Sequence, residues 1–175
     1  MALVESFWEA ATDATLRQGE YLVNCKVPSL KENPQLEQTE SSAIIQVADL
    51  IVMTQSCDLE QGKARTVALC PITSLERYET INPELKGKGR WEQVRKGRVE
   101  GLYLLNSPTN PTDNREVLVV AFAEIYSLPF NLLVEHAEKL DTRWRLKSPY
   151  LEHFSQAFAR FFMRVGLPSS IPPYR

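Results

Sequence analysis

Residues 43–55, AIIQVADLIVMTQ, form the stretch that decides the fold class. Its Ile and Val content is typical of a buried β-strand, and the polar Asp49 marks a bend, so we expect one long strand or two shorter pieces. Further strands are predicted at residues 20–27, 65–70, 99–106, 116–127 and 142–147. Five or six short strands with helices appended predict either a small β-barrel or an α+β domain.

Three of these strands carry finer signals. Pro71 should end the strand at 65–70, since proline supplies no N–H to a ladder. The apolar centre of 116–127 is continuous, which favours burial on both faces of the sheet. In 142–147, Trp144 and Leu146 alternate with three basic residues, as in a half-buried strand.

Helical patterns frame the strands. The stretch ESFWEAATDATLRQG predicts a short N-terminal helix that stops at Gly19. A second helix is expected over 129–140, with Ser127 as its cap. The clearest helix opens after Ser148-Pro149, because apolar residues then recur at three- and four-residue steps until Gly166. Residues 74–89 read as irregular or as a frayed helix, and 91–98 as a helical turn or a hairpin arm.

The length of 175 residues is that of one domain. We expect a single domain over 1–175, with a barrel at about 18–128, an N-terminal helix at 4–17 and a helical extension at 129–175. The predicted class is α+β, mainly β.

Composition excludes several classes of protein. Hydrophobic residues make up 43% and charged residues 24%, which is typical of a globular chain. There is neither an apolar run long enough to span a membrane nor a secretory leader, so we expect a cytoplasmic protein without membrane contact. Cys25, Cys57 and Cys70 show no metal-binding spacing and are expected to be reduced thiols. We therefore predict no metal and no cofactor.

Charge is distributed unevenly along the chain. Residues 1–50 hold eight acidic and three basic residues, a net charge of −5, whereas residues 86–98 have a net charge of +5. The basic run interleaves cations with one aromatic ring, a composition that can hold phosphates and stack a base, although such runs are usually solvated surface. Its candidate nucleic-acid contacts are Lys86, Lys88, Arg90, Trp91, Arg95, Lys96 and Arg98. Its glycines predict a mobile loop.

The C-terminal helix is a second candidate surface. Its aromatic content exceeds what a short helix normally needs for packing, and cations flank the rings. Packing onto the sheet is the simpler interpretation, and an exposed ridge would bind a protein. The candidate contacts are Phe154, Phe158, Arg160, Phe161 and Arg164.

Four strings, in order, resemble the MazF/PemK family of toxins. LRQGEYLVNC is similar to that family's first strand and DLIVMTQS to its second strand. RTVALCPITS resembles the strand and turn that end in P-I-T-S, and EVLVVAFAEIYSLPFNLL resembles the last strand with its helix. The resemblance lies within residues 17–140 and implies an SH3-like barrel, usually a homodimer, whose better-known members cut single-stranded RNA without a metal.

The resemblance also implies site residues. Thr73 matches the family threonine beside the scissile phosphate, but the family's arginine is missing, because Val47-Ala48-Asp49 stands on the approach to the second strand. Arg65 is a possible substitute from the neighbouring strand. From the residues themselves, Thr54 and Asp58 are further candidates, with Asp58 either a proton acceptor or a turn cap. The candidate catalytic set is thus Thr73, Arg65, Thr54 and Asp58.

Two functions follow as alternatives. The first is a MazF/PemK-like module of a prokaryotic stress or antiviral-defence system that binds a protein, such as a regulator, antitoxin or defence component, and is degenerate as a nuclease. The second is a metal-independent endoribonuclease of a toxin–antitoxin system, acting on single-stranded RNA. A barrel domain of some other role is the third possibility.

Overall fold

Eight β-strands and five α-helices occur in the residues that this computed structural model describes, 6–30, 43–108 and 117–163. The strands are β1 (Trp8–Ala11), β2 (Glu20–Leu30), β3 (Ala43–Val52), β4 (Thr66–Ser74), β5 (Leu102–Asn106), β6 (Val117–Ala121), β7 (Tyr126–Pro129) and β8 (Arg143–Leu146). The helices are α1 (Ser56–Glu60), α2 (Leu75–Ile81), α3 (Lys88–Arg95), α4 (Phe130–Ala137) and α5 (Tyr150–Phe162), with a 3-10 turn at Pro83–Leu85. The α+β, mainly β class is confirmed.

The strands form one antiparallel sheet in the order β1-β8-β2-β3-β4-β6-β5, and β7 pairs with β4. Within the described ranges no ladder joins β1 to β5, so the sheet is open and no barrel is closed by backbone pairing. The two edge strands nevertheless meet, because Trp8 Nε1 donates to the carbonyl of Asn106 at 2.6 Å. The sheet therefore curls until a side chain bridges its edges.

The predicted N-terminal helix is wrong. Residues 8–11 are β1, which pairs with β8 in a register that sets Trp8 opposite Leu146. Trp8 is buried in the sheet core, and the Phe7 ring stacks on Tyr150 with centroids 3.9 Å apart. Pairing with β8 and packing against α5 bury Trp8 and partly bury Phe7, and such tertiary contacts override the helix preference of the surrounding Ala and Glu residues.

β2 contains a bulge that changes which of its residues face the core. The strand predicted at 20–27 is confirmed and continues to Leu30, but its register against β3 shifts between Leu22 and Cys25. Asn24 takes φ +56° there, so Leu22 and Cys25 are both buried although they are three positions apart, a spacing that puts side chains on opposite faces of a regular strand. The regular alternation assumed from the sequence fails at this point.

β4 continues through Pro71, contrary to the predicted break. Its first half pairs with β3 and β7, and residues 72–74 pair with β6. Pro71 stands at the last pair with β3, where a missing N–H costs little.

The strand predicted at 116–127 is divided into β6 and β7, because the two pieces pair with opposite halves of β4. Residues 118–122 are all buried, which confirms burial on both faces.

The sheet packs on both sides. One face lies against α1 and α4, through a cluster that includes Leu50, Val52 and Leu133. The other face encloses Trp8, Ile72 and the fully buried Phe154 of α5. A smaller third cluster joins α3 to β6.

A buried ion network ties β8 to the segment that connects β1 and β2. Arg143 and Arg145 are about as buried as core residues, although the sequence pattern placed them on the solvent side of this strand. Glu20, which has no exposed surface, accepts from Arg143 Nη1 and from Arg145 Nη2, each at 2.7 Å. Asp13 completes the network with Arg145 at 3.1 Å. The connecting segment therefore covers this face of β8 and supplies its counter-charges.

None of the helices in the described parts of the chain is long and apolar enough to cross a membrane.

Candidate functional site

The best candidate site is a cleft of about 310 Å³ where β3 and β4 separate. Leu50 and Pro71 form the last pair between these strands, and beyond this pair β3 and β4 are no longer hydrogen-bonded to each other. Residues 46–49 of β3 line one wall, Thr73 lines the floor, and α2 contributes the other wall. The remaining polar lining residues are Asn24, Asn82 and Glu124.

Local structure explains how α2 reaches the cleft. Ser74 ends β4 and is the N-cap of α2, where its Oγ accepts from the backbone N–H of Arg77 at 3.3 Å. The helix therefore starts directly after Thr73 and brings Arg77 and Tyr78 over the end of the strand. Sequence reasoning missed both residues, and the signal that could have found them is the N-cap serine behind a strand.

Arg77 is the one cationic side chain among the described residues that line the cleft. Its side chain is exposed and makes no ion pair with another described residue. A guanidinium in that state is available to a carboxylate or phosphate.

Two carboxylates oppose this cation. Asp49 and Glu124 line the same cleft. Burial of the Tyr78 hydroxyl, together with the negative charge of Glu124, raises the pKa of that hydroxyl above its usual value of 10.0. Asp49 already has a structural role, because its Oδ1 accepts from Asn24 N at 2.7 Å and its Oδ2 from the Tyr21 hydroxyl at 3.1 Å. The formal charge of the lining side chains is negative.

The predicted catalytic residues do not come together. Arg65 precedes β4, whereas Thr73 lies eight residues further along that strand, a distance of about 26 Å at the usual rise per residue. Arg65 is therefore unable to replace the family arginine beside Thr73. Arg77, and not Arg65, lines the same cleft as Thr73.

Thr54 and Asp58 also lie at the Arg65 end of β4. The Thr54 hydroxyl accepts from the backbone N–H of Ala68 at 2.8 Å and so continues the pairing of β4 beyond the end of β3. Asp58 belongs to the short helix α1, and its backbone carbonyl accepts from Ala64 N at 3.2 Å. Both residues therefore stabilise the connection between β3 and β4 through these hydrogen bonds.

The basic run is mostly helix, not a mobile loop, and its aromatic ring points inward. Trp91 of α3 is 8% exposed, and its Nε1 donates to Glu79 at 2.6 Å, so the ring is not placed to stack on a base. Glu92 holds both Arg95, at 2.7 Å, and Lys96, at 3.1 Å, and these contacts lower the pKa of Glu92 to about 2.

The remaining cations of this run are peripheral. Lys86, Arg90 and Arg98 are exposed, and Arg98 donates to Gln93 at 3.4 Å. Lys88 begins α3. Lys86, Arg90 and Arg98 are part of the solvated surface near α3, and none of these three lines the cleft at Thr73.

The aromatic face of α5 packs mainly inward, as the simpler interpretation held. Phe154 is fully buried, and Phe158 and Phe161 are partly buried against Phe122. The exposed apolar surface is at the end of the helix, at Phe162 and Met163. Arg160 is exposed beside it, and Arg164 lies outside the described residues.

Among the described residues, no three His, Cys, Asp or Glu side chains form a group that could hold a metal ion. Comparison with known proteins adds no assignment, since no family model, no curated protein and no solved structure matches this chain.

Proposed function

We propose that this chain is a MazF/PemK-like module of a prokaryotic stress or antiviral-defence system, with an SH3-like sheet that binds a protein partner at the Thr73 cleft. In this proposal it has lost the ribonuclease activity of the family. The observation that carries the proposal is the charge of the cleft, where Asp49 and Glu124 accompany a single arginine.

This charge is unfavourable for RNA. A ribonuclease of the family's type must hold a phosphate and stabilise the negative charge that develops when the 2′-hydroxyl attacks the phosphorus atom. Two carboxylates beside the reacting group oppose both steps, since like charges repel most strongly where solvent is partly excluded.

The rim of the cleft suits a protein better. Val47 and Ile81, on opposite walls, are 58% and 65% exposed. Large apolar side chains exposed next to one another on a surface are typical of a site that binds another protein. The fitting partner segment has apolar residues for this rim and a basic residue that meets Asp49 or Glu124.

A second function, metal-independent cleavage of single-stranded RNA, has one specific observation in its favour. Thr73 lines the same cleft as Arg77, which makes no ion pair with another described residue, so a threonine and a guanidinium, the two groups of the family chemistry, share one cleft. Arg77 in this case has the role first given to Arg65.

One experiment separates the two functions. A long single-stranded RNA is incubated with the protein in EDTA, and any cuts are mapped by primer extension for wild type, Thr73→Ala and Arg77→Gln. Arg65→Gln is the matched control, because it removes the same charge at the far end of β4. We expect intact RNA with every protein. Discrete cuts lost in Thr73→Ala and Arg77→Gln but kept in Arg65→Gln would establish the nuclease.

Partner binding is tested by quantitative affinity capture from the native host. A partner that binds the cleft is lost with Ile81→Lys and is kept with Leu132→Lys, which adds the same charge at an exposed leucine of α4. Loss with Met163→Lys alone would move the binding surface to the end of α5 and refute the cleft.

A further inference from the structure

A second cavity, of about 430 Å³, lies between α5 and the free edge of β5. β5 pairs with β6 on one side, and no other described strand pairs with its opposite side. Residues 101–104 line this cavity, which shares no lining residue with the Thr73 cleft. Its volume is within the usual range for a site that binds a small molecule.

The cavity is rich in aromatic side chains. Those among its described lining residues are Phe7, Tyr103, Phe122, Tyr150 and Phe161. The ring of Phe7 stacks on Tyr150, and Tyr103 packs edge-to-face on the fully buried Phe154 with ring centroids 5.3 Å apart. Rings that are already fixed by such contacts offer a surface on which a planar group can stack.

The free edge of β5 adds hydrogen-bonding groups to the cavity. The carbonyl of Gly101 accepts from Phe122 N, so the odd-numbered residues of β5 exchange hydrogen bonds with β6 and the even-numbered ones face the open side. Asn106 belongs to the second set, and its carbonyl accepts a side-chain hydrogen bond from β1. Leu102 and Leu104 therefore present backbone N–H and C=O groups to the cavity that they line. Donors and acceptors in this arrangement match the edge of a nucleobase.

The charged side chains give the described part of the lining a positive formal charge, with Arg95 and Arg160 against Glu100. Arg95 is held by Glu92 at 2.7 Å. Arg160 is exposed and makes no ion pair with another described residue. Its guanidinium is therefore available to a phosphate.

We propose that this cavity binds a nucleoside monophosphate. The base stacks on the aromatic lining and pairs through its edge with the backbone of Leu102 or Leu104, and Arg160 holds the phosphate. A simple anion would leave the rings and the strand edge unused, and an apolar molecule would leave Arg160 unused. The binding does not depend on what the Thr73 cleft binds.

A nucleotide fits this edge better than a peptide strand. Strand addition needs a row of open backbone groups along the edge. On β5 that row is short, because the carbonyl of Asn106 is already bonded to Trp8 Nε1 at 2.6 Å. Leu102 and Leu104 remain, which is enough for the edge of one base.

Isothermal titration calorimetry on the whole chain tests the proposal. The probes are the four ribonucleoside monophosphates, the nucleoside of the one that binds best, and ribose 5-phosphate. We expect at least one nucleotide to bind, its nucleoside to bind more weakly, and ribose 5-phosphate to show no binding at millimolar concentration. Arg160→Gln should weaken nucleotide binding by about tenfold or more and leave nucleoside binding unchanged, because it removes a charge-assisted contact to the phosphate alone.

Arg90→Gln is the matched control, since Arg90 is an exposed arginine of α3 that does not line the cavity. Proton–nitrogen correlation spectra locate the ligand. The amide signals of Leu102 and Leu104 should shift on titration, and those of Thr73 and Arg77 should not. No binding of any of the four nucleotides, equal loss of affinity in Arg160→Gln and Arg90→Gln, or shifts confined to the Thr73 cleft would overturn the proposal.

Discussion

Replacing Glu20 by glutamine separates two buried arginines from the acid that neutralises them. Glu20 has no exposed surface, and its carboxylate accepts four hydrogen bonds. The donors are Arg143, Arg145 through two of its nitrogens, and the backbone N–H of Arg17. Glutamine preserves the volume but removes the charge and turns an N–H₂ group toward guanidinium donors.

The cost follows from the burial of all three charges. Removing one partner of a buried ion pair typically lowers the free energy of unfolding by about 3–5 kcal/mol, because the remaining charge is desolvated without compensation. Among the described residues, the two arginines then keep only Asp13 and backbone carbonyls as partners. With a urea m-value of about 2 kcal/mol/M, a loss of about 4 kcal/mol lowers the unfolding midpoint by about 2 M.

Urea unfolding followed by far-UV circular dichroism measures this change. Glu92→Gln is the matched control, because Glu92 pairs with Arg95 and Lys96 at the surface, and an exposed pair contributes little. We expect a large shift for Glu20→Gln and none for Glu92→Gln. A loss below about 1 kcal/mol for Glu20→Gln would refute the view that this network fastens β8 to the connection between β1 and β2.

Three further outcomes are expected. The hydrogen bond from Arg145 lowers the pKa of Asp13 below its usual 3.8, so the stabilisation by this carboxylate is complete above that value and is lost as pH falls through the folded pKa. Asp13→Asn, at a partly exposed site, should therefore lower the free energy of unfolding by less than about 1 kcal/mol near neutrality, and urea titrations should show this difference shrinking as pH falls below 3.8. Phe154→Ala should cost about 3–5 kcal/mol by leaving a cavity, whereas Phe162→Ala should stay within about 0.5 kcal/mol, and equal losses in thermal unfolding would contradict the inward packing of α5. Burial raises the pKa of the Cys25 and Cys70 thiols to about 12. A thiol reagent at about pH 8 should therefore label only the exposed Cys57 until urea unfolds the protein.

Strand positions were predictable from the sequence wherever the apolar pattern was long. β-Branched runs located β3 and β6, and helical spacing located α5, because these segments bury side chains by a simple period. The pattern failed where pairing with distant strands decides the outcome. Nothing near Trp8 indicates that it will meet β8 and Asn106, which lie about a hundred or more residues away.

Burial of charge was also hidden in the sequence. The alternation in β8 predicted a solvated row of arginines, and the pattern holds no sign that Glu20 and Asp13 return to cover them. Only the three-dimensional path of the connection between β1 and β2 brings acids to these guanidiniums. A sequence period reports which residues share a face, and it does not report what covers that face.

The candidate site was half predictable for a similar reason. Thr73 was selected because RTVALCPITS resembles the family's strand and turn, and Arg65 was selected as a basic residue of the neighbouring strand. Extended backbone between residues 65 and 73 sets the two far apart. Arg77 is near Thr73 because a helix starts at once and folds the chain back.

Asp49 could not be exchanged for arginine without disturbing β2. Both of its carboxylate oxygens are used, one by the backbone N–H of Asn24 and the other by the Tyr21 hydroxyl, so the residue fixes the bulge in β2. The bulge in turn decides that Cys25 and Val27 point into the core. An arginine at position 49 would leave the Asn24 N–H without its acceptor and release the bulge. The negative charge that Asp49 brings to the cleft therefore follows from the way β2 is folded.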